Sequence, residues 1–88
     1  MKIALLSGAS PRSCKHGPAV RLVPGSWRLN VHGIIDSSIL MHVEGYEASN
    51  VIHHGMELPE LRETAVVQLS FGVRGSEQYI TVIAEKVA

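Results

Sequence analysis

WRLNVHGIIDSSILMHVEGY, residues 27–46, is the stretch whose reading decides the fold. Trp27, Leu29, Val31, Gly33 and Ile35 occupy its odd positions, with Arg28, Asn30 and His32 between them. After Asp36, Ser37 and Ser38 the same parity resumes, with Ile39, Met41 and Val43 set against His42, Glu44 and Tyr46. Successive side chains on a strand point to opposite faces, so each half is a strand with one buried and one solvated side. A three-residue turn at positions 36–38 keeps apolar opposite apolar. The two strands are then expected to form a hairpin in which Ile35 faces Ile39, Val31 faces Val43 and His32 faces His42. Ile34 and Leu40 fall on its outer face beside the turn.

The alternation returns at residues 65–74, where Ala65, Val67, Leu69, Phe71 and Val73 share a face. Gly75, Ser76, Glu77 and Gln78 turn the chain into residues 79–87. With Arg74 opposite Tyr79, a second hairpin is expected to set Val73 against Ile80, Phe71 against Val82 and Leu69 against Ala84. Its outer face mixes Gln68, Ser70 and Thr81 with Val66, Tyr79 and Ile83. Between the hairpins, residues 51–56 read as a less regular strand and LPELRET, residues 58–64, as a loop. Upstream, residues 19–23 are a short apolar strand stopped by the turn pair Pro24-Gly25.

The pattern predicts an all-β fold, a small antiparallel β-sandwich or barrel of about six or seven strands. Residues 2–6 have the composition of a short strand, but SGASPRSCKHGP, which follows at positions 7–18, holds two Gly, two Pro and three Ser. Residues 1–18 are therefore expected to form an extended N-terminal arm or linker, and residues 19–88 a single β-domain.

Composition bounds what such a domain does. At 88 residues it buries only roughly 60–65% of its unfolded surface. The chain is 45% hydrophobic and 18% charged, against roughly 25% charged in soluble domains generally. Its eight Lys and Arg cancel its eight Asp and Glu. An apolar excess without net charge favours association, so a homo-oligomer or a component of a larger assembly is expected. Nucleic-acid binding needs clustered cations, and only Lys2, Arg12, Lys15 and Arg21 gather near the start. No stretch is long enough for a membrane-spanning helix, and MKIALL is too short for a signal-peptide core, so neither a membrane partner nor an export signal is expected. One cysteine, Cys14, excludes an internal disulfide.

Motifs for chemistry are weak. Cys14 beside Lys15 and His16 lacks the rigid shell a catalytic thiol needs. Asp36, the one Asp, belongs to a turn. Glu57, Glu60 and Glu63 with Arg62 read as solvent-facing charge. No catalytic residue and no cofactor is expected. Five histidines are the exception. The expected register makes His32 and His42 neighbours, and zinc takes at least three protein ligands. The alternative reading is thus a metal- or carbohydrate-binding domain using His32, His42 and His53 or His54. Adjacent in a strand, His53 and His54 point to opposite faces and do not chelate together. The apolar outer-face set, Ile34, Leu40, Val66, Tyr79 and Ile83, instead marks a subunit interface, because a solvated sandwich face carries polar residues there.

The run from PGSWRLNVHGII through MHVEGYEASN to VQLSFGVRGSEQYITVIAEKVA, residues 24–88, resembles small bacteriophage virion proteins. In these a Trp-x-Leu-x-Val-x-Gly strand leads into a hairpin and the last strand ends near Ala-Glu. Several are β-sandwiches that decorate or cement capsids, or serve as head-fibre and tail components. The histidines and the LPELRET insertion depart from that pattern. The resemblance implies a non-enzymatic virion protein, made in the host cytoplasm, whose partners are the capsid or other virion proteins. It carries no catalytic residues.

Overall fold

A computed structural model describes residues 1–9, 16–33, 39–46, 50–71 and 80–88. Among these residues there are seven strands and no helix: β1 (Lys2–Ala9), β2 (Val20–Leu22), β3 (Trp27–His32), β4 (Ile39–Val43), β5 (Asn50–Val51), β6 (Ala65–Phe71) and β7 (Ile80–Lys86). They form two antiparallel sheets. Sheet A has the order β1-β7-β3 and sheet B the order β2-β6-β4-β5. The expected all-β sandwich is what the chain forms.

Alternation placed the right side chains inside. Trp27, Leu29 and Val31 from β3, Ile39, Met41 and Val43 from β4, Ala65, Val67 and Leu69 from β6, and Ile80, Val82 and Ala84 from β7 are all buried in one core. Trp27 is 1% exposed. Its indole N–H donates to the Val23 carbonyl at 2.9 Å, so the one polar atom of the ring is not stranded by burial.

The neighbours of these strands differ from the expectation. β3 and β4 do not pair. Val31 stands opposite Val82 and His32 opposite Thr81, both on β7. Val43 stands opposite Val67 and His42 opposite Gln68, both on β6. The second expected hairpin fails in the same way, because β6 lies in sheet B and β7 in sheet A. Leu69 pairs with Met41, and Ala84 with Leu29 and Ile3. A two-residue periodicity fixes which face of a strand is buried. It does not say whether the next strand lies beside it in the same sheet or across the core in the other. Here the strands on either side of each interval, β3 and β4, then β6 and β7, belong to different sheets. Residues 34–38 and 72–79 themselves, with the turns assigned to them, lie outside the described residues.

The N-terminal arm is also corrected. Residues 2–9 are an edge strand antiparallel to β7, and Leu5 and Leu6 are 1% and 4% exposed. Both leucines reach the core because the register with β7 slips between Ala4 and Leu6, leaving Leu5 as an extra residue in β1. A second slip falls between Ser7 and Ala9, at Gly8, whose φ of 68 suits a residue without a Cβ. Such irregularities twist an edge strand away from uncontrolled pairing. Residues 10–15 of the expected arm lie outside the described residues.

The sides of the sandwich are closed by irregular chain. Residues 52–61 leave sheet B and run along the outer edge of β3. Leu29 N–H donates to Met56 O, Gly55 N–H to Leu29 O and Leu58 N–H to Trp27 O, at 2.8–2.9 Å. Leu61 and Gly25 exchange a reciprocal pair at 2.9 and 3.0 Å. LPELRET is therefore part of a sheet cover, with Leu58 and Leu61 buried and Glu60 and Glu63 exposed, as is Glu57 just before it. Gly25 is required there, since a Cβ would lie 2.6 Å from Lys86 Cε and 2.7 Å from Ala88 O. On the other side, Gly17 donates its N–H to Leu69 O at 2.8 Å, and a Cβ at Gly17 would lie 3.8 Å from Leu5 O.

Two expected outcomes follow from this packing. Trp27→Ala removes the largest core side chain and should cost about 3–5 kcal/mol, a large part of a small domain's stability. An unchanged melting temperature would place the indole outside the core. Deletion of residues 1–9 should abolish cooperative unfolding in a calorimeter, because it strips β7 of a partner and the core of Leu5 and Leu6. A truncated chain that still melts as one unit would return these residues to the role of an arm.

Candidate functional site

With both sides closed, the broad outer faces of the two sheets carry the exposed chemistry. On sheet A the register aligns three rows across β1, β7 and β3: Lys2–Glu85–Arg28, Ala4–Ile83–Asn30 and Ser7–Thr81–His32. Glu85 organises this face. Its carboxylate accepts from Arg28 Nη2 at 3.2 Å and Asn30 Nδ2 at 3.4 Å, and lies 3.8 Å from Lys2 Nζ. The hydrogen bond from Arg28, then that from Asn30, holds the carboxyl below the usual glutamate value of 4.5, outweighing the partial desolvation that opposes them. The charges of Lys2 and Arg28 act in the same direction.

On sheet B the corresponding rows are Arg21–Val66–Glu44, then Gln68–His42, then Ser70–Leu40–Val51. Glu44 continues β4 by one residue, its N–H donating to Val66 O at 2.9 Å. Its carboxylate accepts from Val66 N–H at a long 3.4 Å. Val66 and Leu40 are partly buried, while Val51 is 55% exposed. His42 Nε2 lies 2.9 Å from Ser70 Oγ.

Of the expected interface residues, Val66 and Leu40 share the outer face of sheet B and Ile83 sits on the outer face of sheet A. Ile83 too is partly buried. The structure does not gather them into one patch, because the two faces look away from each other across the core. Ile34 and Tyr79 lie outside the described residues. Arg21 and Glu44, which flank Val66, were not among the expected interface residues; only the β2–β6–β4 register brings them level.

The histidine site is overturned in its expected form. His32 and His42 are exposed on the outer faces of different sheets, so no ion reaches both. His32 instead neighbours His54, with ring centroids 6.0 Å apart. His54 Nδ1 accepts the Val31 N–H at 3.0 Å. A neutral ring that accepts at Nδ1 carries its proton on Nε2, which then has no lone pair for a metal. His53 Nδ1 lies 3.2 Å from the His54 carbonyl. Among the described residues no group of three or more His, Cys, Asp or Glu could hold a metal ion. Cys14 and Asp36 are outside the described residues.

A shallow groove of about 550 Å³ adjoins the Val66 row, lined by Glu44, Gly45, Tyr46 and residues 61–65. Tyr46, one of its lining residues, donates its O–H to Glu60 O at 3.1 Å. No helix among the described residues is long and apolar enough to cross a membrane.

Comparison with known proteins gives no match to a family model, a curated protein or a solved structure.

The Glu85 cluster has a definite pH signature. A carboxyl lowered by folding contributes stability that is present above its unfolded value and lost as pH falls through its folded value. The stability difference between the parent and Glu85→Gln, read from urea midpoints, should therefore persist at neutral pH and be lost on acidification through the lowered Glu85 value, beneath the ordinary glutamate range. Removing the Arg28 donor with Arg28→Ala should raise the Glu85 titration midpoint in a carboxyl NMR titration. An unmoved midpoint would mean that Arg28 does not set it.

Proposed function

We propose that the chain is a non-enzymatic structural subunit of a bacteriophage virion, of the capsid-decoration kind. It contacts the capsid and neighbouring subunits through its outer sheet faces and needs no cofactor. The observation that carries this reading is the apolar residue at the outer face of each sheet's interior strands. Val66 stands there on β6, Ile83 on β7 and Leu40 on β4, each partly buried. A sandwich face meant for water places polar residues at such positions. A net charge of zero and a charged fraction of 18% lower the repulsion between copies. The seven-strand sandwich is in keeping with the virion proteins that residues 24–88 resemble. The N-terminal residues expected as an arm are not part of the proposal, since β1 pairs with the chain's own β7.

Mass spectrometry of purified particles from the source, with co-sedimentation of the isolated chain on capsids lacking it, tests the reading. The chain should be a stoichiometric particle component and should pellet with capsids. Ile83→Glu should weaken that binding by about tenfold or more with its melting temperature little changed, because Ile80, Val82 and Ala84 point inward and are untouched. A chain absent from particles and unable to pellet with capsids would remove the virion assignment.

A further inference from the structure

We infer that the outer face of sheet B is a two-fold contact between copies of this chain, with its axis along β6 through Val66, setting Arg21 of one copy over Glu44 of the other. The inference rests on the reading of the chain as an assembly subunit and names which face it uses on itself.

Isologous contacts bring the same patch together twice, so the patch must complement its own image. A two-fold axis lying in the contact plane along the central strand exchanges left with right. On sheet A this fails. Its charged row is Lys2–Glu85–Arg28, and the operation sets Lys2 of one copy over Arg28 of the other. The one anion between them is already held by Arg28 and Asn30.

On sheet B the row Arg21–Val66–Glu44 is a cation, an apolar centre and an anion on three successive strands. With neighbouring strands roughly 4.8 Å apart, the two charged residues stand roughly 10 Å from each other at the backbone. The same operation lays each over its opposite, forming two equivalent ion pairs on either side of a Val66–Val66 contact. Among the described residues Arg21 makes no ion pair within its own chain. Glu44 spends its carboxylate only on the long hydrogen bond from Val66 N–H. Gln68 and Ser70 provide polar groups around the apolar centre, the usual arrangement of an interface.

Size and shape agree. The described molecule measures 37 × 23 × 17 Å, and its broad face is of the order of the roughly 800 Å² per partner that a standard interface buries. Edge-to-edge association through sheet A is opposed by the register slips of β1 and by the cover that residues 52–61 lay on β3.

Sedimentation equilibrium on the full chain tests the contact by charge exchange. The wild type should be dimeric, and Arg21→Glu and Glu44→Arg should each weaken the dimer by at least about tenfold. The double variant R21E/E44R should recover it. Mixing the two single variants should give heterodimers, since one copy then presents two anions and the other two cations. That last result separates a contact between chains from an ion pair within one. Circular dichroism checks folding, and Arg21→Gln with Glu44→Gln gives the same reading at lower amplitude should a reversal not fold. A monomeric wild type, single variants as dimeric as the parent, or a mixture that stays monomeric would each overturn the contact. Co-sedimentation with capsids is scored separately. A dimer that obeys the charge exchange but ignores capsids refutes the virion reading and leaves this face assigned. Capsid binding by a chain indifferent to the exchange does the reverse.

Discussion

The last strand holds the domain together. β7 lies between β1 and β3, and its inward residues Ile80, Val82 and Ala84 are at most 1% exposed. The N-terminal strand, β3 and the core leucines of both depend on a segment that ends two residues before the chain does. Every pairing in sheet A is therefore long-range in sequence. Loop-closure entropy must be met before such pairings return any free energy, so this topology predicts slow folding with little local structure to guide it. The terminal backbone is tied in accordingly, with Ser26 N–H donating to Ala88 O and Val87 N–H to Ser26 O.

This explains what was legible in the sequence. The inward faces of β3, β4, β6 and β7 could be read residue by residue, because a pleat imposes a period of two wherever one side is buried. The partner of each strand could not, since alternation is the same for a hairpin and for two strands facing each other across a core. A hairpin is the shortest way to join two such strands, yet in both cases the next strand in sequence belongs to the other sheet. The first strand was under-read for a related reason. Leu5 and Leu6 are adjacent, which breaks alternation, and only a register slip brings both inside. The covering role of residues 52–61 had no periodic signal at all, because its hydrogen bonds are made by an irregular backbone.

The candidate site was legible to the same depth. Val66, Ile83 and Leu40 stood out as apolar residues at polar parity, and their faces are as expected. Their division between two surfaces, the separation of His32 from His42, and the alignment of Arg21 with Glu44 all follow from strand order. His54 illustrates the limit well. Its position in sequence suggests a ligand, whereas its acceptance of the Val31 N–H commits it to fastening irregular chain against β3.

The two outer faces differ in how they treat charge, and that difference bears on function. Sheet A satisfies its ions internally: Lys2, Arg28 and Asn30 converge on Glu85, tying β1, β7 and β3 together across the pleat. Exposed pairs of this kind contribute little individually, but they leave few unmatched charges to be desolvated when that face is covered. Ile83 is then the apolar centre of that face. Sheet B keeps its cation and anion apart, on either side of Val66. Bringing an unmatched charge into a contact costs free energy unless an opposite charge arrives with it, so this face selects a partner with the reverse order of signs. In the two-fold contact inferred above, the same face turned about β6 supplies that order.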